Sequence, residues 1–111
     1  VGRAKDMVIS GGENIYPAEI ENLLVQHPLV AECAVLGQDD ARWGEVVVAV
    51  VVLRDGADAQ WEPALQGFLH GRLARYKWPR RWQRVDALPK TALGKVQKPA
   101  VKALLTRPGE A

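Results

Sequence analysis

The chain has 111 residues, of which 48% are hydrophobic and 25% are charged, and its formal net charge is +2. This length and composition indicate one compact domain with a single core rather than two domains or a disordered chain. The weak positive charge argues against a nucleic-acid-binding protein and favours a small anionic partner. The one cysteine, Cys33, has no partner for an internal disulfide, which predicts a buried thiol in a reducing compartment.

Membrane insertion and export are not indicated by the sequence. The longest apolar run, residues 46–53, is far shorter than the ~20 residues of a membrane-spanning helix, and no signal peptide precedes it. We therefore expect a soluble, cytoplasmic protein without a metal cluster. The chain opens without methionine and resembles the interior of a longer sequence, so we expect a fragment.

A hairpin and a helix are predicted at the beginning of the chain. Two β-prone runs, 7–10 and 13–16, flank Gly11 and Gly12, which can supply the positive φ angles of a tight turn. Pro17 stands at a first helical position, with acidic residues in the first turn and apolar residues at helical spacing behind it. These features predict a short amphipathic helix that ends at a His-Pro pair.

The middle of the chain predicts two buried strands. Run 29–37 is apolar apart from Glu32, run 46–53 is almost wholly apolar, and we expect the two to pair in one sheet. A polar loop is predicted between them at 38–44. Its tryptophan, Trp43, either covers the core or offers a stacking surface.

A second helix is predicted at 62–74, where leucine and phenylalanine recur at three- and four-residue intervals. Aromatic and basic residues then alternate over 76–85, ahead of a third strand. Rings beside cations suit a nucleotide with phosphates, although the same pattern fits a crossover whose aromatics enter the core. A short terminal helix is predicted at 99–105. Together these elements predict an α+β domain: a small mixed sheet of about three strands, flanked by short helices and preceded by an N-terminal β-hairpin that forms a separate arm.

Two lysines are predicted to lie on a loop near the end of the chain. Pro89 and Gly94 interrupt helix and strand there, so Lys90 and Lys95 lie on irregular backbone. A lysine on a loop of a rigid scaffold can reach a group outside the fold, or it can be a solvated surface charge.

Two motifs carry a resemblance to a known family. They are GRAKDMVISGGENIYPAEIE at 2–21 and PKTALGKVQK at 89–98. The first resembles the hinge and hairpin motif of the adenylate-forming enzymes, which include acyl-CoA synthetases, nonribosomal peptide adenylation domains and luciferases. The second is similar to the last motif of the same superfamily. The resemblance implies that 7–111 is the mobile C-terminal domain, and that 1–6 is a hinge to a large N-terminal domain outside this chain.

The resemblance also implies a two-step reaction and roles for individual residues. A carboxylic acid, fatty or aryl, and ATP form an acyl-adenylate and pyrophosphate, and CoA then takes the acyl group and releases AMP. ATP and CoA are substrates, and Mg²⁺ is expected in the N-terminal domain. Lys95 is implied as the catalytic lysine, Lys5 as the hinge residue and Arg3 as a nucleotide contact. The implied CoA-binding residues are Gly11, Gly12, Trp43, Tyr76, Trp78 and Arg80.

Two alternatives stay open at this point. The chain could come from an adenylation domain that loads a carrier protein, or it could be a non-catalytic nucleotide- or CoA-binding module. If it is the C-terminal domain of a ligase, we expect it to be inactive alone, because it then holds one side of the active site.

Overall fold

The computed structural model describes residues 7–105. Arg3 and Lys5, predicted as nucleotide and hinge residues, lie outside the described residues. The elements in chain order are β1 (Val8–Ser10), β2 (Glu13–Ile15), α1 (Pro17–Leu24), β3 (Val30–Asp40), β4 (Gly44–Leu53), α2 (Trp61–Leu69), a 3-10 turn (Arg75–Lys77), β5 (Arg81–Arg84) and α3 (Lys98–Lys102). The predicted α+β class, with a hairpin ahead of a three-stranded mixed sheet, is confirmed.

The N-terminal hairpin forms as predicted. Strands β1 and β2 are antiparallel, and the two turn residues have positive φ angles of 58° at Gly11 and 85° at Gly12. Positive φ at both central residues is the requirement of a type I′ hairpin turn, and glycine meets it without steric cost. The hairpin is a sheet of its own, but Val8 and Ile15 are buried in the main core. It is therefore packed onto the domain rather than extended from it as the predicted separate arm.

Strand β4 is the centre of the main sheet. It pairs antiparallel with β3 and parallel with β5, and the parallel pairing is possible because α2 and the 3-10 turn carry the chain across. The antiparallel ladder extends to the pair Asp40 and Gly44. The predicted loop at 38–44 was therefore too long, because polar residues at the solvated end of a ladder can still make its backbone hydrogen bonds. Only 41–43 form the turn.

The sheet is covered on both faces, which explains why β4 is apolar without alternation. Val47, Ala49 and Val51 lie in one core cluster, together with side chains of the hairpin, α1 and α2. Val48 and Val50 lie in a second cluster on the opposite face. The second cluster also contains Ala34, Leu36, Leu88 and Val101.

Helix α2 is shorter than predicted. It ends at Leu69 because His70 is extended and Gly71 has a φ of 82°, a conformation that stops a helix. Leu73 is buried although it lies beyond the end of α2. The apolar spacing that predicted the helix therefore extends past its last residue. Within residues 7–105 no helix has the length and apolar character needed to cross a bilayer.

The Cys33 thiol, predicted to be buried, is partly buried and has a raised pKa. Cys33 lies in β3, with its Sγ 3.8 Å from the Glu21 carbonyl oxygen. Burial raises the pKa of the Cys33 thiol to about 12, and the nearby Glu21 carboxylate adds to the effect. Because only the thiolate is a good nucleophile, this thiol should be inert in the folded protein.

We expect Cys33 to react with a disulfide reagent such as DTNB at pH 8 at least ~100-fold more slowly in the native protein than in concentrated urea. The measurement is the time course of thionitrobenzoate release, with the urea-unfolded chain as the control. Comparable rates in the two states would contradict the burial of the thiol.

Candidate functional site

The loop that carries Lys95 is held by its own hydrogen bonds. The N–H groups of Leu93 and Lys95 both donate to the Thr91 hydroxyl oxygen, at 3.2 Å each. The Thr91 N–H donates to the Lys95 carbonyl oxygen at 2.8 Å, and the Gly94 N–H donates to the Thr91 carbonyl oxygen at 2.9 Å. Gly94 has a φ of 88°, which accounts for the glycine in the motif. The loop is thus a defined turn.

The three lysines around this loop differ in their partners. The Lys90 ammonium lies 2.6 Å from the Glu32 carboxylate, so the hypothesis that Lys90 reaches outside the fold is not supported. Lys98 lies 2.8 Å from the Glu21 carboxylate. Lys95 is exposed, and its ammonium has no partner among residues 7–105. It is the lysine of the motif that is free to meet a ligand.

A second group of predicted residues meets at the tip of the hairpin. The Gly11 N–H donates to the Trp43 carbonyl oxygen at 2.9 Å, and the Ile9 N–H donates to a Glu45 carboxylate oxygen at 3.0 Å. The hairpin is therefore tied both to the β3–β4 turn and to the beginning of β4. A Cβ atom on Gly11 would lie 2.7 Å from Cε3 of the Trp43 ring, so a glycine is needed for this approach.

Arg80 completes this group, which we call the Trp43 corner: Gly11, Trp43 and Arg80. The guanidinium carbon of Arg80 lies 3.9 Å from the centroid of the Trp43 ring, a cation–π contact. The Arg80 N–H donates to the Val47 carbonyl oxygen at 2.9 Å, which fixes the backbone beside β4. The stacking interpretation of Trp43 gains support from this arrangement, because the partly buried ring sits beside a cation.

Gly12, next to the Trp43 corner, has open space around it. A Cβ atom there would have no described atom within 4 Å. Its glycine is thus required only by the positive φ of the turn, and the space beside it can admit a ligand.

Asp40 supports the Trp43 corner, and the sequence reasoning did not single it out. One of its carboxylate oxygens accepts the N–H groups of Arg42, at 2.8 Å, and Trp43, at 3.0 Å. The other lies 2.9 Å from a guanidinium nitrogen of Arg81. Hydrogen bonds from the Trp43 and Arg42 backbone hold the pKa of the Asp40 carboxyl below its ordinary value, and Arg81 adds to the effect. An aspartate two and three residues ahead of its N–H donors is an Asx turn, a signal available from the sequence.

Two of the predicted CoA residues have their described contacts elsewhere. The Trp78 indole N–H donates to the Leu73 carbonyl oxygen at 3.0 Å, and the ring packs against the first core cluster. Trp78 therefore fits the interpretation in which this segment is a crossover whose aromatic side chains enter the core. Tyr76 is about half exposed, with the Lys77 ammonium 5.7 Å from its ring centroid. A role for either residue in CoA binding stays a prediction.

Residues 7–105 contain no group of three histidine, cysteine, aspartate or glutamate side chains placed to hold a metal ion.

Comparison with known proteins identifies the family. The family model for the AMP-binding enzyme C-terminal domain matches residues 19–95. The chain belongs to this family. The resemblance stated from the two motifs is thereby confirmed, and the matched range includes Lys95 and the β3–β4 turn.

Relatives of this AMP-binding enzyme C-terminal domain are CoA ligases. Indoleacetate–CoA ligase of Aromatoleum aromaticum is 58% identical over 106 residues, which cover 96% of this chain and 21% of that protein. Feruloyl-CoA synthase of an Amycolatopsis species is 52% identical over 102 residues, or 92% of this chain and 21% of that protein. The solved o-succinylbenzoate CoA synthetase of Bacillus subtilis, in complex with its acyl-adenylate intermediate, has a TM-score of 0.78 and 42% identity over 96% of this chain and 21% of that one. This chain spans about a fifth of the length of each.

The two turn glycines should differ in their tolerance of a side chain. Gly11→Ala adds a clash with the Trp43 ring to the strain of a positive φ, whereas Gly12→Ala adds only the strain. We expect Gly11→Ala to lower the free energy of unfolding by ~1–3 kcal/mol more than Gly12→Ala, the usual range for overpacking.

Urea denaturation measures this difference. Gly56→Ala is the matched control, because Gly56 also has a positive φ with open space around it. Equal losses in all three variants would contradict the close packing of Gly11 on Trp43.

Proposed function

We propose that this chain is the mobile C-terminal domain of an AMP-forming acid:CoA ligase and that Lys95 acts in the first half-reaction. The observation that carries the proposal is the unpaired, exposed Lys95 on a hydrogen-bonded turn, in a chain of this family. In this proposal residues 1–6 are the hinge to an N-terminal domain, with Lys5 as its pivot and Arg3 as a nucleotide contact. Residues 7–111 rotate as one unit.

The first half-reaction activates the acid. A carboxylate oxygen attacks the α-phosphorus of ATP, the bond to the bridging oxygen breaks, and pyrophosphate leaves. The Lys95 ammonium would lie between the carboxylate and the α-phosphate, where it orients the attack and offsets the developing negative charge. Mg²⁺ would neutralise charge on the phosphates. We expect it to be held by the N-terminal domain.

The second half-reaction transfers the acyl group to CoA. The thiolate attacks the carbonyl carbon of the acyl-adenylate, the bond to the phosphate oxygen breaks, and AMP leaves. The Trp43 ring would contact the adenine of CoA, and Arg80 would contact a CoA phosphate. The open space at Gly12 would admit the pantetheine arm. CoA as the thiol donor is supported by the names of the three relatives, each a CoA ligase or synthase.

The position of the two sites supports a rotating domain. The hairpin beneath the Trp43 corner packs on the first core cluster through Val8 and Ile15. The Lys95 loop is anchored on the opposite face of the sheet, through Leu88 and Val96 of the second cluster. A domain with one site on each face of its sheet must turn to bring first one and then the other to the same bound acyl group.

In the full-length ligase that contains this chain, we expect Lys95→Ala to slow ATP–pyrophosphate exchange by ~10²–10³, the usual cost of losing a preorganised electrostatic group. Thioester formation from supplied acyl-adenylate should be largely retained, because that step does not need this ammonium. Both rates are measured with fatty and aryl acids, starting with aryl acids because two relatives are named for indoleacetate and ferulate.

Lys102→Ala is the control for loss of an exposed lysine, since Lys102 is exposed in the last turn of α3. Equal loss of both half-reactions in Lys95→Ala would contradict the assigned role. A wild-type enzyme that exchanges pyrophosphate but never forms acyl-CoA would indicate a carrier-protein thiol instead.

Trp43→Ala and Arg80→Ala should each raise the KM for CoA by ~10–100-fold, the range expected for losing one base stack or one charged phosphate contact. Arg54→Ala is the control, because Arg54 is an exposed arginine that follows the opposite end of β4 from this corner. KM values for CoA that are the same in all variants would show that Trp43 and Arg80 only pack against each other.

A further inference from the structure

We propose that Asp40 is a positioning residue for the second half-reaction, because its one carboxylate holds the Trp43 backbone and the side chain of Arg81, the residue next to Arg80, in the segments that form the stacked pair of Trp43 and Arg80. The inference deepens the proposed function and rests on it, since it assumes that this pair contacts CoA. Asp40 itself would touch neither CoA nor the reacting atoms.

The first attachment is to the backbone that carries the Trp43 ring. Oδ1 of Asp40 accepts the backbone N–H groups of Arg42 and Trp43, at 2.8 and 3.0 Å. These bonds close the three-residue turn between β3 and β4 and set the direction in which the Trp43 side chain leaves the backbone. A hydrogen bond to a charged acceptor is about twice as strong as a neutral one, so a carboxylate restrains this turn better than an amide would.

The second attachment is to Arg81, the neighbour of the cation in the stacked pair. Oδ2 of Asp40 lies 2.9 Å from Nη2 of Arg81, while Nη1 of Arg81 donates to the Gln38 side-chain oxygen at 2.6 Å. Arg81 directly follows Arg80, whose guanidinium lies over the Trp43 ring. The Arg81 side chain crosses β4 and joins the beginning of β5 to the end of β3, which restrains the backbone next to Arg80.

Asp40 therefore joins two segments at Trp43 and Arg81, which are 38 positions apart in the sequence. Without the carboxylate, each side chain would still be present, but each would have to be ordered when CoA binds. The entropic cost of ordering these side chains would then make the binding of CoA weaker. The expected consequence is weaker CoA binding with an otherwise intact domain.

Asp39 provides the matched control. It is the neighbouring aspartate on the same strand, it is exposed, and it makes no side-chain hydrogen bond or ion pair with the other residues of the described part, 7–105. Removing the Asp39 carboxylate changes the net charge of this end of the sheet by the same amount without touching the Trp43 corner.

The experiment uses the full-length ligase and compares KM for CoA with KM for ATP on the same preparations. Asp40→Asn keeps one oxygen for the turn but places an amide beside Arg81, and Asp40→Ala removes both attachments. We expect KM for CoA to rise ~3-fold in Asp40→Asn and ~10-fold or more in Asp40→Ala relative to KM for ATP, factors typical of one or two lost hydrogen bonds. Asp39→Ala should leave both constants unchanged.

A double-variant cycle separates positioning from a general structural role. In a Trp43→Ala background the stacked pair no longer exists, so adding Asp40→Asn should change KM for CoA less than twofold. A merely structural loss would raise both KM values or add its full effect to that of Trp43→Ala. Arg81→Gln removes the ion pair with Asp40 and leaves the Asp40 carboxylate in place. It should raise KM for CoA but not KM for ATP, which tests the proposal even if the Asp40 variants fold poorly.

The outcomes distinguish this inference from the proposed function. If Trp43→Ala raises KM for CoA while Asp40→Ala and Arg81→Gln do not, the CoA site stands and the positioning role is wrong. If Trp43→Ala itself has no effect on KM for CoA, the proposed CoA site fails, and the inference fails with it. If Asp39→Ala raised KM for CoA as much as Asp40→Ala, the loss of negative charge at this end of the sheet would explain both effects. That outcome would overturn the positioning role.

Discussion

The burial of β4 on both faces is the constraint on which the rest of the structure depends. Its valines exclude water above and below the sheet, and at ~25 cal/mol per Å² of apolar surface this burial is the largest stabilising contribution available to a chain of this size. Because β4 is central, both neighbouring strands take their register from it. The register Val48 to Arg81 and Asp40 to Gly44 brings the beginning of β5 and the end of β3 to the same end of the sheet, where the Trp43 corner forms.

Charged groups on this scaffold divide into those used by the fold and those left free. The Glu21 carboxylate accepts the Val35 N–H at 2.8 Å and pairs with Lys98, and Lys98 also donates to the Val35 carbonyl oxygen. This arrangement joins α1, β3 and α3 in a partly buried setting, where a paired charge is tolerated and an unpaired one is costly. Lys95, three positions before Lys98, has no such constraint, so its charge is available to a group outside the described domain.

The sequence predicted those features that depend on local chemistry. The two glycines of the hairpin, Pro17 at the beginning of α1 and the apolar run of β4 each have one dominant physical explanation, and each was confirmed. The length of the β3–β4 turn was not predictable from polarity, because Asp40 is polar yet still pairs in the ladder. Trp78 likewise shows the limit of composition, since a tryptophan beside basic residues can bind a ligand or donate its indole N–H into the core.

The proposed function places opposite demands on the two sites, and the contacts of each site meet them. A lysine that takes part in one half-reaction and must leave before the next cannot be paired within its own domain, since breaking a strong internal pair would oppose each rotation. Lys95 accordingly has a rigid backbone turn and an unpaired ammonium. A surface that receives a flexible ligand benefits from being ordered beforehand, because ordering on binding lowers affinity. The backbone of Trp43 is accordingly held by its bonds to Gly11 and Asp40, and its ring lies against the guanidinium of Arg80.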